Sequence, residues 1–203
     1  MQPFFRFIFI LGFSVLFTAC QKELPDHPYA VFSTGLPGDV EAFSQNGADW
    51  IYACGGVPND GWVIRSNDRG TTWQVVSRGF LNSLNCIWFV DELTGYAVDS
   101  DVLIFKTTDG GFTWTQFYPD AWPLSVNRNL RSLCFVNDSV GFACGGKNFG
   151  NGLIYKTSDG GEHWDFQEFE HELRSIRFLD INTGFAIGYG VVLVTENLSL
   201  IHI

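Results

Sequence analysis

Short apolar, β-prone runs separated by clusters of turn-forming residues fill the chain after residue 20. Three of these runs, at residues 62–64, 102–105 and 153–155, each lead into a polar turn that ends at a tryptophan. No segment in this part of the chain shows the periodicity of about 3.6 residues that marks an amphipathic helix. The pattern therefore predicts an all-β fold made of antiparallel hairpins.

The three turns share one motif, (Ser/Thr)-x-Asp-x-Gly-x-x-Trp. Its aspartates are separated by 41 and then by 50 residues, and a repeat period of about 40 to 50 residues is typical of propeller blades. The motif residues are Ser66, Asp68, Gly70 and Trp73; Thr107, Asp109, Gly111 and Trp114; and Thr157, Asp159, Gly161 and Trp164.

The chemistry of this motif predicts a structural role. The hydroxyl and the carboxylate can accept hydrogen bonds from backbone N–H groups nearby in the turn. The glycine can adopt the positive φ that a tight reversal needs, and the tryptophan can fold beneath the turn and bury a large apolar area. We therefore expect the aspartates to stabilise hairpins and not to act as catalysts.

The repeat extends beyond the motif. Octets that begin at Leu84, Leu130 and Leu173 align with one another, and a Gly-(Tyr/Phe)-Ala strand follows each of them. Together with the turn motif, this arrangement gives four antiparallel strands per unit, which is the composition of a propeller blade. We predict an all-β, incomplete β-propeller at residues 30–197, with about four four-stranded antiparallel blades.

Residues 1–20 read as a bacterial export signal. A single arginine precedes an apolar stretch that ends in Thr18-Ala19-Cys20, a stretch too short to be a spanning helix. Small residues directly before a cysteine resemble a lipobox, which predicts lipidation of Cys20, a membrane tether and a polar linker at 21–29. An ordinary signal peptide cut near Ala19 is the alternative. Either reading predicts an exported protein of the bacterial cell envelope, an outer-membrane lipoprotein or a periplasmic protein.

The other end of the chain has a different explanation. Residues 198–203 read Leu-Ser-Leu-Ile-His-Ile, which resembles the translation of an adapter used in library sequencing, so we exclude them from the fold. Asn197 stands where a fourth repeat would place its aspartate. We therefore expect the chain to stop within a fourth repeat.

The net charge of the chain excludes one class of partner. The formal net charge of −10 argues against a nucleic-acid partner, because phosphates are neutralised by lysine and arginine.

Cys54 and Cys144 occupy matching positions two blades apart, and Cys86 and Cys134 lie at different positions on adjacent strands, so we expect buried free thiols. No Cys-x-x-Cys or His-rich spacing suggests a metal, and no motif suggests a cofactor.

Three polar residues are candidates for binding. Asn85, Arg131 and Arg174 occupy the same position in consecutive repeats, at the start of the strand expected to line the propeller channel. The guanidiniums could converge on an anionic ligand or on a partner's carboxylates. A salt bridge within each blade is an equally supported alternative.

Two other polar stretches receive structural interpretations. The glycine-rich stretch at 145–152 lacks the Gly-Lys-(Ser/Thr) of a phosphate loop and is interpreted as an expanded loop that lengthens this repeat. Lys147 and Phe149 at its tip are possible partner contacts. Glu168, Glu170 and Glu172 flank His171 and are interpreted as a solvated loop.

These residues support a resemblance to a known family. The (Ser/Thr)-x-Asp-x-Gly-x-x-Trp motifs, known as Asp boxes or BNR repeats, occur here with strand pairs such as Phe178-Leu179-Asp180-Ile181-Asn182-Thr183-Gly184-Phe185-Ala186. In this combination the chain resembles the photosystem II stability and assembly factor family over residues 40–197. The resemblance implies a non-enzymatic propeller scaffold that holds a protein partner.

Sialidases share the Asp box alone, so a secreted sialidase-like glycoside hydrolase is the alternative. Such an enzyme needs an arginine cluster, a tyrosine nucleophile paired with a glutamate, and an acidic residue. The Arg-Ile-Pro segment that normally precedes the first box is missing. Tyr52, Tyr96 and Tyr155 fall at repeated strand positions where packing explains them. We therefore favour a non-enzymatic cell-envelope propeller that binds a protein or glycan partner.

Overall fold

The computed structural model describes residues 16–18, 33–46, 50–117, 129–180 and 182–196 of the chain. Cys20, the linker predicted at 21–29 and the tail predicted at 198–203 lie outside the described residues, so the predictions made for them stay predictions. Every regular element in the described part is a β-strand, which confirms the predicted all-β class. That part contains no helix of the length and apolarity needed to cross a membrane.

The described strands form four antiparallel sheets. In chain order they are β1 (Leu16–Thr18), β2 (Asp39–Asn46), β3 (Trp50–Val57), β4 (Asp60–Ser66), β5 (Thr72–Phe80), β6 (Leu84–Phe89), β7 (Gly95–Asp99), β8 (Ile104–Thr107), β9 (Thr115–Phe117), β10 (Asn129–Phe135), β11 (Gly141–Lys147), β12 (Gly150–Thr157), β13 (Asp165–His171), β14 (Leu173–Phe178), β15 (Gly184–Gly188) and β16 (Val191–Thr195).

Each sheet is an up-and-down meander in which consecutive strands pair. The sheets are β2 to β5, β6 to β9, β10 to β13 and β14 to β16, and we call them blades 1 to 4. Strand β1 falls within the export signal predicted at residues 1–20; it lies at the outer edge of blade 1, where it pairs with β5. The predicted four-stranded unit is therefore present in three blades, and the fourth has three strands within the described residues.

The blades pack radially. The first strand of each blade contacts the first strand of the next, so that β2 meets β6, β6 meets β10 and β10 meets β14. The second strand of each blade also contacts the first strand of the next. This arrangement gathers the first strands at the centre and directs the later strands outward, as in a propeller.

Stacked aromatic rings join neighbouring blades at repeated positions. Tyr52 of blade 1 stacks on Phe89 of blade 2, with ring centroids 3.6 Å apart. Two further pairs repeat this contact between blades 2 and 3 and between blades 3 and 4: Tyr96 with Phe135 at 3.9 Å and Phe142 with Phe178 at 4.5 Å. Each contact joins the second strand of one blade to the end of the first strand of the next.

In blades 2 to 4, the glycine that opens the second strand makes room for the phenylalanine of its own blade. A Cβ added at Gly95 would lie 2.6 Å from the Phe89 ring, and one added at Gly141 would lie 2.5 Å from the Phe135 ring. The same overlap occurs between Gly184 and Phe178. The spacing from phenylalanine to glycine in the repeat is therefore a packing requirement.

The Asp boxes hold the outer hairpins through dense hydrogen bonding. In blade 2 the Thr107 hydroxyl donates to Asp109 Oδ1 at 2.8 Å and accepts from the Gly111 N–H at 3.0 Å. Asp109 also accepts from the Thr113 N–H at 2.9 Å and from the Thr113 hydroxyl at 2.6 Å. Box tryptophans close the turns, and the Trp114 indole N–H donates to the Gly111 carbonyl at 2.9 Å.

These bonds stabilise the ionised carboxylates. Hydrogen bonds from the Thr72 hydroxyl and backbone lower the pKa of Asp68 to about 2. The backbone N–H and ring of His163 lower the pKa of Asp159. Burial raises the pKa of Asp109, but bonds from Thr113 and Thr107 outweigh it and the net shift is downward. The carboxylates in the boxes are thus fully engaged with their own turns.

The fold shows the state of the cysteines and the origin of the longer third repeat. Cys54, Cys86, Cys134 and Cys144 are free and buried, which confirms the prediction of packed thiols. The hairpin between β11 and β12 is longer than that between β7 and β8, but it explains only part of the longer third repeat. The rest lies in the connection from β9 to β10, most of which is outside the described residues.

Candidate functional site

Each first strand carries a β-bulge at the same place. In blade 3, Leu130 pairs with Gly145 and Ser132 pairs with Cys144, so Arg131 is the extra residue without a partner in the ladder. The register shifts in the other three blades identify their extra residues in the same way. The four bulge residues are Glu41, Asn85, Arg131 and Arg174.

The bulges lie where the first strand of each blade begins and its second strand ends. We call this end of the blades the bulge end. A bulge turns its extra residue away from the regular pleat and re-aims its side chain. The residues singled out by their repeat position therefore share a backbone feature, which explains why they align. Glu41 belongs with them and was missed, because the first repeat is too irregular to align by eye.

Asn85 ties blade 2 to blade 3. Its side-chain amide donates to the Leu130 carbonyl at 2.7 Å, next to the bulge of the following blade. The Leu130 N–H in turn donates to the Asp101 carbonyl at 3.0 Å. The structure places Asn85 in a contact between blades, and this contact engages one of its amide hydrogens.

The two arginines meet at one buried carboxylate. Arg131 Nη2 lies 2.8 Å from Glu172 Oε1, and Arg174 Nη2 lies 3.7 Å from the same atom. The Glu172 side chain is 3% exposed, whereas those of Arg131 and Arg174 are 33% and 54% exposed. Two cations thus share one anion, and the more exposed arginine has the longer contact.

Glu172 is also the anchor for two turns at the bulge end. Its Oε2 accepts from the Phe149 N–H at 2.9 Å. Its own N–H donates to the Phe149 carbonyl at 3.3 Å, and its carbonyl accepts from the Tyr189 N–H at 2.9 Å. One residue therefore fixes the β11–β12 hairpin of blade 3, the β15–β16 turn of blade 4 and the two arginines.

The prediction that the acidic run containing Glu172 is a solvated loop is wrong. Glu168, Glu170 and His171 belong to strand β13, and their chain continues directly into β14. Glu168 and Glu170 are exposed, but Glu172 is buried. One signal for Glu172 is present in the sequence, because it immediately precedes the octet that begins at Leu173 and stands two residues before Arg174.

A small cavity lies beside this cluster, between β13 and blade 4. Its volume is about 230 Å³, and its lining is largely apolar with a carboxylate rim: Glu168, Phe169, Glu170, His171, Leu173, Val191 and Leu193. Ligand pockets usually enclose about 300 to 1,000 Å³. The cavity is below that range and does not itself indicate a small-molecule site.

The tyrosines considered as nucleophiles are packed in the core. Tyr52, Tyr96 and Tyr155 are each at most 1% exposed, which confirms the packing interpretation. The Tyr96 hydroxyl donates to the Gly160 carbonyl at 2.7 Å, and burial raises the pKa of Tyr96 to about 12. A buried phenol that is difficult to ionise is poorly suited to attack a glycosidic carbon.

Asp99, at the end of β7, is likewise engaged in local hydrogen bonds. Asp99 is 1% exposed, accepts from the Asn82 amide at 2.9 Å and from the Asp101 N–H at 2.9 Å. Burial raises its pKa. Among the residues that the structure describes, no group of three or more His, Cys, Asp or Glu side chains is arranged to hold a metal ion.

Solved structures with the same architecture include YCF48 from Cyanidioschyzon merolae, at 16% identity and a TM-score of 0.63, over 79% of this chain and 51% of that one. YCF48 bound to D1 peptide matches at 19% identity and a TM-score of 0.66, over 89% of this chain and 59% of that one. The fold is a β-propeller. A GH74 enzyme from Niastella koreensis also matches, at 19% identity and a TM-score of 0.58, over 78% of this chain and 26% of that one.

At these identities the likeness establishes the fold alone. No protein-family model matches the chain, and no curated protein matches it in sequence. The chain spans between half and three fifths of the length of the YCF48 chains. Because the neighbours include both YCF48 and an enzyme, function has to be argued from the residues at the bulge end.

Proposed function

We propose that this protein is a non-enzymatic propeller scaffold that binds a protein partner at the bulge end, through Arg131 and Arg174. The observation that carries the proposal is the unequal pairing of two guanidiniums with the single carboxylate of Glu172. The surplus cation is Arg174, which is half exposed, on a chain whose net charge is −10. A partner's carboxylate would complete the pairing.

The solved neighbours support this proposal. A YCF48 propeller has been solved bound to a D1 peptide, so a chain of this fold holds a peptide ligand. The geometry here suits a similar use, because both arginines are set on bulges of packed central strands and Arg131 is held by the buried Glu172. Such preorganisation lowers the ordering cost of binding.

Replacing Arg131 and replacing Arg174 are expected to affect the stability of the fold differently. Replacing Arg131 would leave Oε1 of the buried Glu172 with only its 3.7 Å contact to Arg174, while Oε2 keeps the hydrogen bond from the Phe149 N–H, so the fold would weaken. Replacing Arg174 removes the more exposed and more distant cation. Arg174→Ala is therefore the variant that separates binding from stability.

The test is selection of a random dodecapeptide display library on the immobilised full chain. We expect enrichment of peptides rich in Asp and Glu, and loss of that enrichment with Arg174→Ala at an unchanged melting temperature. Arg78→Ala is the matched control, because Arg78 is an exposed arginine of blade 1 paired with Asp60 at 2.7 Å. No acidic enrichment, or equal enrichment on both variants, would contradict the proposal.

The glycoside hydrolase alternative is retained because a GH74 enzyme shares the fold. It is disfavoured by the buried tyrosines and by the engagement of Glu172 and Asp99 within the protein. Release of 4-methylumbelliferone from a panel of aryl glycosides, including a sialoside, would establish it. We expect no release above that of a heat-denatured sample.

We further propose that the scaffold works in the bacterial cell envelope, tethered by a lipid on Cys20. Support comes from the sequence of residues 1–20 alone. Metabolic labelling with an alkynyl fatty acid in cells that express the gene should label the protein at Cys20. A Cys20→Ser variant that is still labelled would contradict the tether, and a cytoplasmic location would contradict export.

A further inference from the structure

Two exposed aromatic rings meet at the bulge end. Phe149 is 59% exposed and Tyr189 is 55% exposed. Their ring centroids lie 4.6 Å apart with an interplanar angle of 47°. The rings come from adjacent blades, one from the β11–β12 hairpin and one from the β15–β16 turn. We call them the aromatic pair.

The backbone that carries the pair is firmly fixed. Phe149 is bonded through both its N–H and its carbonyl to Glu172, and Tyr189 donates its N–H to the same residue. Because Glu172 is buried, these bonds are shielded from competing water. The pair is therefore presented by a rigid support and not by a free loop.

The hairpin itself does not require a phenylalanine. Asn148 and Phe149 adopt φ values of 59° and 66°, in the left-handed region that glycine occupies without cost. A bulky residue there stores strain of the order of 1 kcal/mol. The ring is too exposed to stabilise the core in return. A role outside the fold accounts for the residue better than the turn does.

The aromatic pair and the arginines share one anchor. Glu172 bonds the backbone of Phe149 and Tyr189, and its carboxylate lies 2.8 Å from Arg131 and 3.7 Å from Arg174. The apolar surface and the surplus cation are thus connected to the same buried residue. Aromatic residues and arginine are also the side chains most often found at the energetic centre of protein interfaces.

We propose that the aromatic pair is the apolar half of a peptide-binding site. Its ligand is an extended segment with a large apolar or aromatic side chain within two residues of a carboxylate. The apolar side chain packs on Phe149 and Tyr189, while the carboxylate pairs with Arg174. This inference rests on the proposed function and adds the chemistry of the partner segment.

A peptide fits these groups better than a sugar does. The rings lean on one another at 47° and do not form a shared flat face for a pyranose. The charged groups held beside them by Glu172 are guanidiniums, which only donate hydrogen bonds. The net negative charge of the chain disfavours acidic ligands elsewhere on its surface. A ligand carboxylate is therefore expected to bind beside Arg131 and Arg174.

The experiment reads the residue pattern of peptides selected on the full chain from the dodecapeptide library. We expect peptides in which Phe, Trp, Tyr or Leu stands within two residues of Asp or Glu. Selection on the double variant Phe149→Ala with Tyr189→Ala should keep the acidic preference and lose the apolar one. Selection on Arg174→Ala should do the reverse.

A synthetic copy of the most enriched peptide gives the affinity. The double variant should bind it at least tenfold more weakly at an unchanged melting temperature. Leu179→Ala is the matched control and should change affinity less than twofold, because Leu179 is 75% exposed in the β14–β15 turn at the other end of blade 4. A lowered melting temperature for the double variant would make the pair structural and overturn the inference.

Failure of the inference can be told from failure of the proposed function. Acidic peptides without an apolar preference would overturn the aromatic pair as a ligand site and leave the scaffold proposal standing. No acidic preference would overturn both. Glycan-array binding that requires Phe149 and Tyr189, or a dimer in sedimentation that disappears in the double variant, would assign the pair to a sugar or to a second copy and overturn the inference.

Discussion

The ring of Tyr96 in blade 2 lies 3.9 Å, centroid to centroid, from the ring of Phe135 in blade 3, at an angle of 20° between their planes. Trp164 meets the other side of this contact, with its centroid 6.1 Å from that of Phe135. The three rings fill the interface between two blades and seal it against water.

Truncating Phe135 should therefore separate two blades. Phe135→Ala removes a ring that is 7% exposed, and such a change costs about 3 to 5 kcal/mol in other cores. Equilibrium denaturation in urea measures the loss. Leu93→Ala, at a residue that is 57% exposed, is the control and should cost under about 0.5 kcal/mol. Equal effects of the two variants would mean that the blades do not depend on the stack.

The Arg131–Glu172 pair should show strong coupling. Glu172→Gln keeps the size of the side chain and removes its charge, and we expect a loss of about 1 to 3 kcal/mol from the lost ion pair with Arg131 and the weakened hydrogen bond from the Phe149 N–H. A double-mutant cycle with Arg131→Gln gives the interaction energy between the two residues. A cycle that closes to within about 0.3 kcal/mol would show that the 2.8 Å contact does not stabilise the fold.

Acid should destabilise the Asp-box hairpins. The pKa of Asp68 is about 2 in the folded protein, below the ordinary value of 3.8, and the pKa values of Asp109 and Asp159 are also lowered. The stability that these ionised groups contribute is complete above pH 4 and is lost as the pH falls towards 2.

Thermal melts from pH 7 to pH 2 measure this dependence. A variant with Asp68→Asn, Asp109→Asn and Asp159→Asn should be less stable at pH 7 and should show a flatter curve between pH 4 and pH 2. A variant curve as steep as that of the parent chain would place the acid sensitivity elsewhere.

The four buried thiols should resist alkylation. Burial raises the pKa of Cys134 to about 12, and it also raises the pKa values of Cys54, Cys86 and Cys144. Little thiolate is therefore present at pH 8, and the sulfurs are shielded from reagents. Iodoacetamide followed by peptide mass spectrometry should label these four residues only in denaturant. Fast labelling of the native chain would indicate blades that open readily.

The outward face of blade 4 should promote self-association. Ile187, Val192 and Val194 are 49%, 61% and 39% exposed, whereas the matching residues of blade 3, Cys144, Ile154 and Lys156, include two that are completely buried against blade 4. Sedimentation velocity should show mass that rises with concentration, and Val192→Lys should reduce it. A sharp monomer at all concentrations would contradict this expectation.

The blades were predictable because their repeats combine local signals. Turn residues, strand alternation and the Phe-to-Gly spacing can all be recognised in the sequence. The contacts that each of them forms lie within one blade or between adjacent blades. The candidate site was only partly predictable. Arg131 and Arg174 were found by alignment, but Glu172 and Tyr189 lie outside the aligned positions and join the site through contacts between blades.

The reason is physical. A buried carboxylate is recognised by what surrounds it, and Glu172 is surrounded by residues from three different turns and strands. The sequence around Glu172 is polar and resembles an exposed segment. The same holds for Tyr189, whose ring partner stands 40 residues earlier, since the pairing depends on how two hairpins lean together and not on a local pattern.

The bulges affect which residues of such a propeller can be substituted as its sequence diverges. A bulge residue has no paired residue on the neighbouring strand, so its side chain can be replaced without shifting the register of the strand. The four positions hold Glu41, Asn85, Arg131 and Arg174, each at the same register shift of its blade. Recognition can therefore diverge most freely at Glu41 and Arg174, which are exposed, whereas Asn85 and Arg131 also make contacts that stabilise the fold.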